Sequence, residues 1–297
     1  MLARVIESLL NQTYQGFEII VVDDGSVDGT ENMIERLMKR TPCELAYFKQ
    51  ENKGAASARN VGIKHAKEEL ILFIDDDVLP APNLLQEHID WHQRHHGENI
   101  AILGSVVWAP ELKVTPFMRW LTEKGIFPPQ SREKNGAKLD HGYFITANIS
   151  LKRRFMLEKG IFDESFKPSF EDIELGYRLE QQNLQIIFNK NAIGYHLRGA
   201  TFQGYCDWVK LAGQSAAMFY TKWPAAILSL PRSTPNIKTV FKEIGKKVIQ
   251  PSVIPIFKYI IGWLDNHDYT APSFFYAKIY WYYFHIGYKK GLKASEK

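Results

Sequence analysis

The sequence predicts an α/β protein with a mostly parallel central sheet flanked by helices, followed by a helical C-terminal extension. Three observations carry this expectation. Short aliphatic runs at 17–22, 44–49, 70–74 and 100–107 alternate with helical periodicity at 2–10, 29–40, 55–66 and 82–96, a pattern that favours parallel strands covered on both faces. Two of the strands end in clustered carboxylates, Asp23-Asp24 and Asp75-Asp76-Asp77. After about residue 222 prolines and aromatic residues crowd the chain.

Each element has its own signal. Leu2, Val5, Ile6, Leu9 and Leu10 recur at helical spacing, so the chain opens on an amphipathic helix and not on a secretory leader. The strand at 17–22 ends in Asp23 and Asp24. Gly25 then permits a tight turn, and Ser26 or Asp28 can cap the next helix. A strand at 44–49 and a small-residue helix at 55–66 follow. Leu70 to Ile74 form a buried strand from whose C-terminal end Asp75, Asp76 and Asp77 emerge. Adjacent carboxylates repel one another and are costly to desolvate. A divalent cation removes both penalties, and Mg²⁺ or Mn²⁺ favours carboxylate oxygens while keeping room for phosphate. Ligands of open α/β sheets bind beyond the carboxyl ends of strands. The run therefore points to a metal–phosphate site, although a solvated acidic turn explains it as well when it is taken alone. Asp23 and Asp24 suit hydrogen bonds from a nucleobase imide or ribose hydroxyls, or else an acidic turn with a cap.

Residues 108–142 are rich in Pro, Gly and charge. They read as a short helix at 116–124 and a loop at 127–142 able to close over a ligand. A strand at 143–151 carries Thr146, Ala147 and Asn148, a helix starts near Glu171, and two short strands are expected at 184–188 and 192–196.

Composition narrows the class. The 297 residues are 45% hydrophobic with a formal net charge of +4. That is ordinary for a folded protein and too weakly basic for a nucleic-acid binder, yet it suits an anionic nucleotide or an anionic membrane surface. Cys43 and Cys206 have no metal-ligand spacing and read as reduced thiols of a cytoplasmic protein. No run of about 18 apolar residues is present, so a spanning helix is not expected. His88, His92 and His95 share a helical face, but Gln, Arg and Asp surround them, and a solvated helix is expected there instead of a metal centre. No GxGxxG follows a strand, so a dinucleotide site is unsupported. From 224 onward aromatics are mixed with lysines, which suits an interfacial membrane helix or a helical hairpin packed on the main domain.

Four motifs occur in order: Val-Val-Asp-Asp-Gly-Ser-Val-Asp-Gly-Thr at 21–30; Asn-Lys-Gly-Ala-Ala-Ser-Ala-Arg-Asn-Val-Gly at 52–62; Phe-Ile-Asp-Asp-Asp at 73–77; and, after the Thr146-Ala147-Asn148 strand, Phe-Glu-Asp-Ile-Glu-Leu at 170–175 with Arg178. Together they resemble family 2 glycosyltransferases of the GT-A fold, over about residues 1–220. The resemblance implies a metal-dependent, inverting transfer of a sugar from a nucleotide diphosphate to a glycan or lipid-linked acceptor. This would serve cell-envelope or surface polysaccharide synthesis at the cytoplasmic face of the membrane. It implies a GT-A domain at 1–222, with a nucleotide-sugar part at 1–107 and an acceptor part at 108–222, followed by an extension at 223–297; the aromatic and lysine content of 248–297 suits a peripheral membrane contact or a hairpin packed on the main domain. It implies donor contacts from Asp23, Asp24, Gly54, Arg59, Asp75 and Asp76, and acceptor contacts from Thr146, Ala147, Asn148 and Glu171. Asp77 and His196 would ligate Mn²⁺ or Mg²⁺, and Asp172 would be the general base.

One departure is expected. Members of that family begin with a central strand ending in a Pro-Thr-Tyr-Asn-like turn, whereas this sequence begins within the following helix, as if its start site were assigned too far downstream. Ladder groups on two neighbouring strands are then expected to lack partners. Two other classes compete. A nucleotide-sugar-binding module without catalysis is favoured by the absent strand and opposed by Asp77 and Asp172. A nucleotidyltransferase would release pyrophosphate, not a nucleoside diphosphate.

Overall fold

The computed structural model describes residues 1–41, 43–124, 126–127, 132–167, 169–227 and 251–295. Two compact units interleave along the chain: 1–110, 133–165 and 171–197 form the first, and 111–132, 166–170 and 198–297 the second.

In the first unit, β1 (Glu18–Asp23) pairs in parallel with β2 (Glu44–Lys49). A separate sheet holds β3 (Leu70–Ile74), β4 (Val78–Pro80), β5 (Ile100–Trp108), β6 (Lys138–Leu139), β7 (Asn148–Lys152) and β8 (Gln185–His196), in the order β3-β7-β5-β8-β4 with β6 on β8. The sheet is mixed, not mostly parallel: β5 and β8 are parallel, but β7 runs antiparallel to β3 and β5, and β4 antiparallel to β8. The physical reason is the connection. β7 is entered from the irregular 108–142 segment, not from a crossover helix, so nothing compels a parallel approach. The two strands expected at 184–188 and 192–196 are one, β8, whose register against β5 slips between Gly104 and Ser105. Buried Asn189 holds this bulge by donating to Glu87 Oε2 at 3.1 Å and accepting from the Asn191 amide at 3.0 Å.

Helices α1 (Leu2–Leu10), α2 (Thr30–Met38), α3 (Ala55–His65) and α4 (Leu84–Arg94) separate the strands as the alternation predicts. Further along lie α5 (Pro116–Glu123), α6 (Arg153–Lys159) and α7 (Glu171–Glu180). The main core joins Ile63 of α3, Phe73 of β3, Ile149 of β7, Phe155 of α6 and Leu175 of α7. It therefore fixes the acidic end of β3 relative to the start of α7. Gly176 allows α7 this close approach, because a Cβ there would meet the Phe144 Cβ at 2.5 Å.

Helix α4 is not the solvated helix expected. His88 and His92 are buried and face β7. His88 shares hydrogen bonds with Ser150 Oγ (2.7 Å) and Asn148 Oδ1 (2.9 Å), and His92 meets Ser150 Oγ at 3.0 Å. Polar groups under a sheet are tolerated when they satisfy one another, and period-3.6 patterning on α4 cannot reveal partners supplied 60 residues later.

Among the described residues β1 has only β2 as ladder partner and β3 only β7. A cavity of about 480 Å³ separates β1 from β3, lined by residues of both strands and closed above and below by α3 and by α1 with α4. This agrees with the expectation that two strands lack a neighbour.

In the second unit, α5 carries an N-cap from Thr115 to the Met118 amide, and α8 (Phe202–Lys222), α9 (Ile254–Asn266) and α10 (Ser273–Ser295) follow. Phe117, Trp120, Phe202 and Tyr276 stack into an aromatic core. Gly213 lets α8 press against α10, where Gly287 and Gly291 leave no room for a side chain. Among the described residues no helix is long and apolar enough to cross a membrane.

Candidate active site

The site is built from strand ends and two helix starts of the first unit. At the end of β1, Asp23 is buried. It accepts the Ser26 amide at 2.7 Å and the Tyr47 hydroxyl at 2.6 Å. Burial pushes its pKa up, but these donors outweigh burial and hold the carboxyl below its ordinary value. Asp24 binds the next loop: Oδ1 accepts from the Gln50 side chain (2.6 Å) and the Lys53 amide (2.8 Å), and Oδ2 from the Gly54 amide (2.7 Å). Gly54 sits at φ +95°, a conformation glycine adopts without strain. The acidic pair thus shapes the loop that launches α3.

Five residues further, about 7.5 Å along the helix, α3 presents Arg59. Its guanidinium donates to Glu171 Oε1 at 2.7 Å and pairs with Asp75 Oδ1 at 3.5 Å, and it lies 5.6 Å over the Phe162 ring. The side chains of Arg59 and Glu171 are only 21% and 12% exposed. Burial opposes the Arg59 charge, but Glu171, Asp75 and Asp172 outweigh it and raise the pKa. Asp75 is raised too, by burial above all and then against the pull of Arg59, even though 39% of its side chain remains accessible.

Asp172 is the second residue of α7. Burial first, then the Glu171 charge, lifts it to about 7, against the opposing pull of Arg59 and the Ile173 amide. Phe170 enters α7 at φ +73°, a sparsely populated conformation for a bulky residue. A carboxyl poised near neutrality beside an Arg-held carboxylate pair is suited to take a proton.

The 75–78 turn, closed by the Val78 amide on the Asp75 carbonyl at 3.1 Å, leaves Asp76 exposed and turns Asp77 inward. The Leu197 amide donates to the Asp77 carbonyl at 2.8 Å. His196 Nε2 lies 3.8 Å from Asp77 Oδ1, with Trp108 edge-on to its ring. One carboxylate oxygen and one imidazole nitrogen are therefore brought together. Among the described residues no group of three His, Cys, Asp or Glu forms a full cation cage. A cation held here would need further ligands, which phosphate and water could supply, as they commonly do for Mg²⁺.

The expected acceptor strand is corrected in part. Asn148 is fully buried, and its amide donates to the Ser105 and Ala192 carbonyls at 3.1 and 2.9 Å while its oxygen meets His88. Thr146 is buried as well, so of the three only Ala147 is partly exposed. Asn148 serves the sheet because β7 is an internal strand there, between β3 and β5. Sequence reasoning missed Tyr47 and Gln50, which hold Asp23 and Asp24, and Asn60. The last clamps Phe162 through two 2.9 Å backbone bonds and donates to Glu164. Asn60 stands within the second motif, but nothing in the sequence marks Phe162 and Glu164 as its partners. The expected lid at 127–142 falls partly outside the described residues.

The mixed sheet, the acidic strand ends and the Asp172 helix define a GT-A-like α/β protein. Its fold matches a mannosyltransferase from Pyrobaculum calidifontis, crystallised with GDP-Man and Mn²⁺, at TM-score 0.62 and 16% identity over 98% of this chain and 83% of that one. It also matches TarS of S. aureus at TM-score 0.53 and 17% identity over 99% and 87%. The family model for Glycosyl transferase family 2 covers residues 1–160, and the chain belongs to that family. Curated relatives include the uncharacterised glycosyltransferase YfnE of Bacillus subtilis, 28% identical over 244 residues, and a validoxylamine A glucosyltransferase of Streptomyces hygroscopicus, 29% identical over 222 residues. The matches cover 65% of this chain in both cases, and the chain spans 61% and 51% of the lengths of these relatives.

Proposed function

We propose that the protein is a metal-dependent, inverting glycosyltransferase that moves a hexose from a nucleotide diphosphate to a hydroxyl of a glycan or lipid-linked acceptor. The observation that carries this reading is the convergence of Asp75 and Glu171 on Arg59 beside Asp172, whose carboxyl titrates near neutrality. Asp172 takes the acceptor hydroxyl's proton as that oxygen attacks the anomeric carbon. One base and no covalent partner give a single in-line displacement with inversion. Arg59 holds Glu171 in place at the acceptor side and Asp75 at the donor side. Gly54 lets the backbone approach the nucleotide, while Asp23 and Asp24 fix the loop that receives it and Asp76 stands open for the ribose. Asp77 and His196 would hold Mn²⁺ or Mg²⁺, which when bound neutralises charge on the departing diphosphate. The structural neighbours crystallised with UDP, UDP-GlcNAc and GDP-Man make UDP- and GDP-sugars the first donors to test.

An acceptor at a membrane face is supported by exposed apolar residues of the second unit. Ile256, Tyr259, Ile260 and Trp263, at i, i+3, i+4 and i+7 of α9, are exposed large hydrophobics. A Trp/Tyr/Ile stripe beside lysines suits peripheral contact with an anionic cytoplasmic leaflet. The reaction type is tested by product analysis: incubation with each nucleotide sugar and Mn²⁺ releases a nucleoside diphosphate, and Asp77→Asn lowers that release and raises the Mn²⁺ concentration needed for half of it. Pyrophosphate as product would assign a nucleotidyltransferase instead.

A further inference from the structure

We infer that Arg178 and Glu174 are positioning residues: through the 160–162 segment they hold the Phe162 ring beneath Arg59, and so set where its guanidinium stands between Asp75 and Glu171. The inference rests on the sugar-transfer reading for the purpose of that arrangement. Glu174 lies one turn along α7 from Glu171 and is completely buried, a situation a carboxylate tolerates only when paired. Both its oxygens accept from Arg178 Nε at 2.9 Å. The far end of the guanidinium is therefore left for the backbone, and Nη2 donates to the Ile161 carbonyl at 2.7 Å. Gly160 makes the approach possible. A Cβ there would stand 2.6 Å from Arg178 Nη1, and its φ of +131° disfavours any other residue. From the opposite side Asn60 of α3 grips the next residue, donating to the Phe162 carbonyl and accepting its amide, both at 2.9 Å. The segment is thus a brace, tied to α7 by Arg178 and to α3 by Asn60.

The brace holds up one ring. Phe162 is buried, stands edge-on to Phe73 of β3 at 5.6 Å, and has the Arg59 guanidinium 5.6 Å over its face. Arg59 leaves α3 and pairs with Glu171 on α7, so its reach depends on how far apart the two helices are held. A long side chain with a second pair at 3.5 Å keeps much rotameric latitude, and a flat aromatic face removes it while attracting the cation. The charged groups that bear on the Asp172 carboxyl are Glu171 on its own helix, Arg59 on α3 and Asp75 at the end of β3. Of these Arg59 alone favours the carboxylate. Loosening its support therefore weakens the pull that keeps the base ionised.

The test titrates Asp172 directly, in full-length protein carrying carbon-13 at its aspartate carboxyls, with no metal or donor added. The Asp172 resonance is identified by its loss in Asp172→Asn. Glu174→Leu combined with Arg178→Met removes the brace without stranding a buried charge and without changing net charge; Phe162→Leu removes the ring alone. Each should raise the Asp172 midpoint by at least about half a pH unit. Adding the Glu174→Leu and Arg178→Met pair to Arg59→Met should move it no further, because residues acting through one group are not additive. An unmoved midpoint in the paired variant overturns the proposal, and so does a further rise on top of Arg59→Met. If the paired variant does not fold, Phe162→Leu, alone and with Arg59→Met, is judged by the same two criteria. A role in stability alone would lower Tm and leave the midpoint where it was. Nucleoside diphosphate release is read in parallel, and the acidic limb of kcat/KM should follow the midpoint. A wild type that releases none refutes the sugar-transfer reading, while the titration still judges the positioning role.

Discussion

At the scale of single residues, the site rests on one cation among several carboxylates. Arg59→Met leaves Glu171, Asp75 and Asp172 without their shared counter-charge. Breaking such a buried arrangement costs about 3 kcal/mol, to be read by urea unfolding, and raises the acidic limb of the rate profile. Asp172 has the opposite stability sign. Its folded pKa, about 7, lies above the ordinary 3.8, so its ionisation opposes folding. That penalty is absent below about pH 4, grows as pH rises, and is complete above 7. Asp172→Asn is therefore expected to raise Tm at pH 8 and to leave it unchanged near pH 4, while removing activity. For the wild type, kcat/KM should fall as pH drops through about 7, because only the carboxylate accepts a proton. Asp172 and Arg59 were legible because each stands inside a motif with its neighbours. The use of Asn148 within the sheet was not legible, since its partners on α4, β5 and β8 are far away in sequence.

At the scale of elements, the α4–β7 network makes its own pH prediction. Burial depresses His88 and His92 to about 4, below the 6.5 of an open chain. The unfolded state binds more protons between those values, so stability is full above 6.5 and declines as pH falls towards 4. His88→Asn with His92→Asn should flatten that slope in denaturant titrations at pH 4.5–7, while costing about 2 kcal/mol at pH 8 through unsatisfied partners. Strand and helix positions were readable from aliphatic runs and 3.6-residue periodicity. Pairing was not, because a run such as 148–152 carries no mark of whether its neighbours are parallel. The bulge in β8 likewise depends on Asn189 meeting Glu87, a contact without a local signal.

At the scale of the whole molecule, the proposed catalytic groups belong to one unit and the exposed aromatic stripe to the other. Their duties are therefore separable by mutation. Replacing Tyr259 and Trp263 by Ser should reduce sedimentation with anionic vesicles by at least about fivefold, on the expectation that interfacial aromatics carry much of the binding. Turnover of a soluble donor should stay unchanged. Equal sedimentation would remove the membrane contact and leave the chemistry standing. The central claim is that Asp172 is the base of a sugar transfer. Its most direct measurement is nucleoside diphosphate release from UDP-, GDP- and dTDP-sugars with Mn²⁺, by the wild type and by Asp172→Asn, with donor affinity determined in parallel. The account predicts a loss of at least about a hundredfold in turnover at unchanged donor affinity, and it is contradicted if the variant releases product as fast as the wild type.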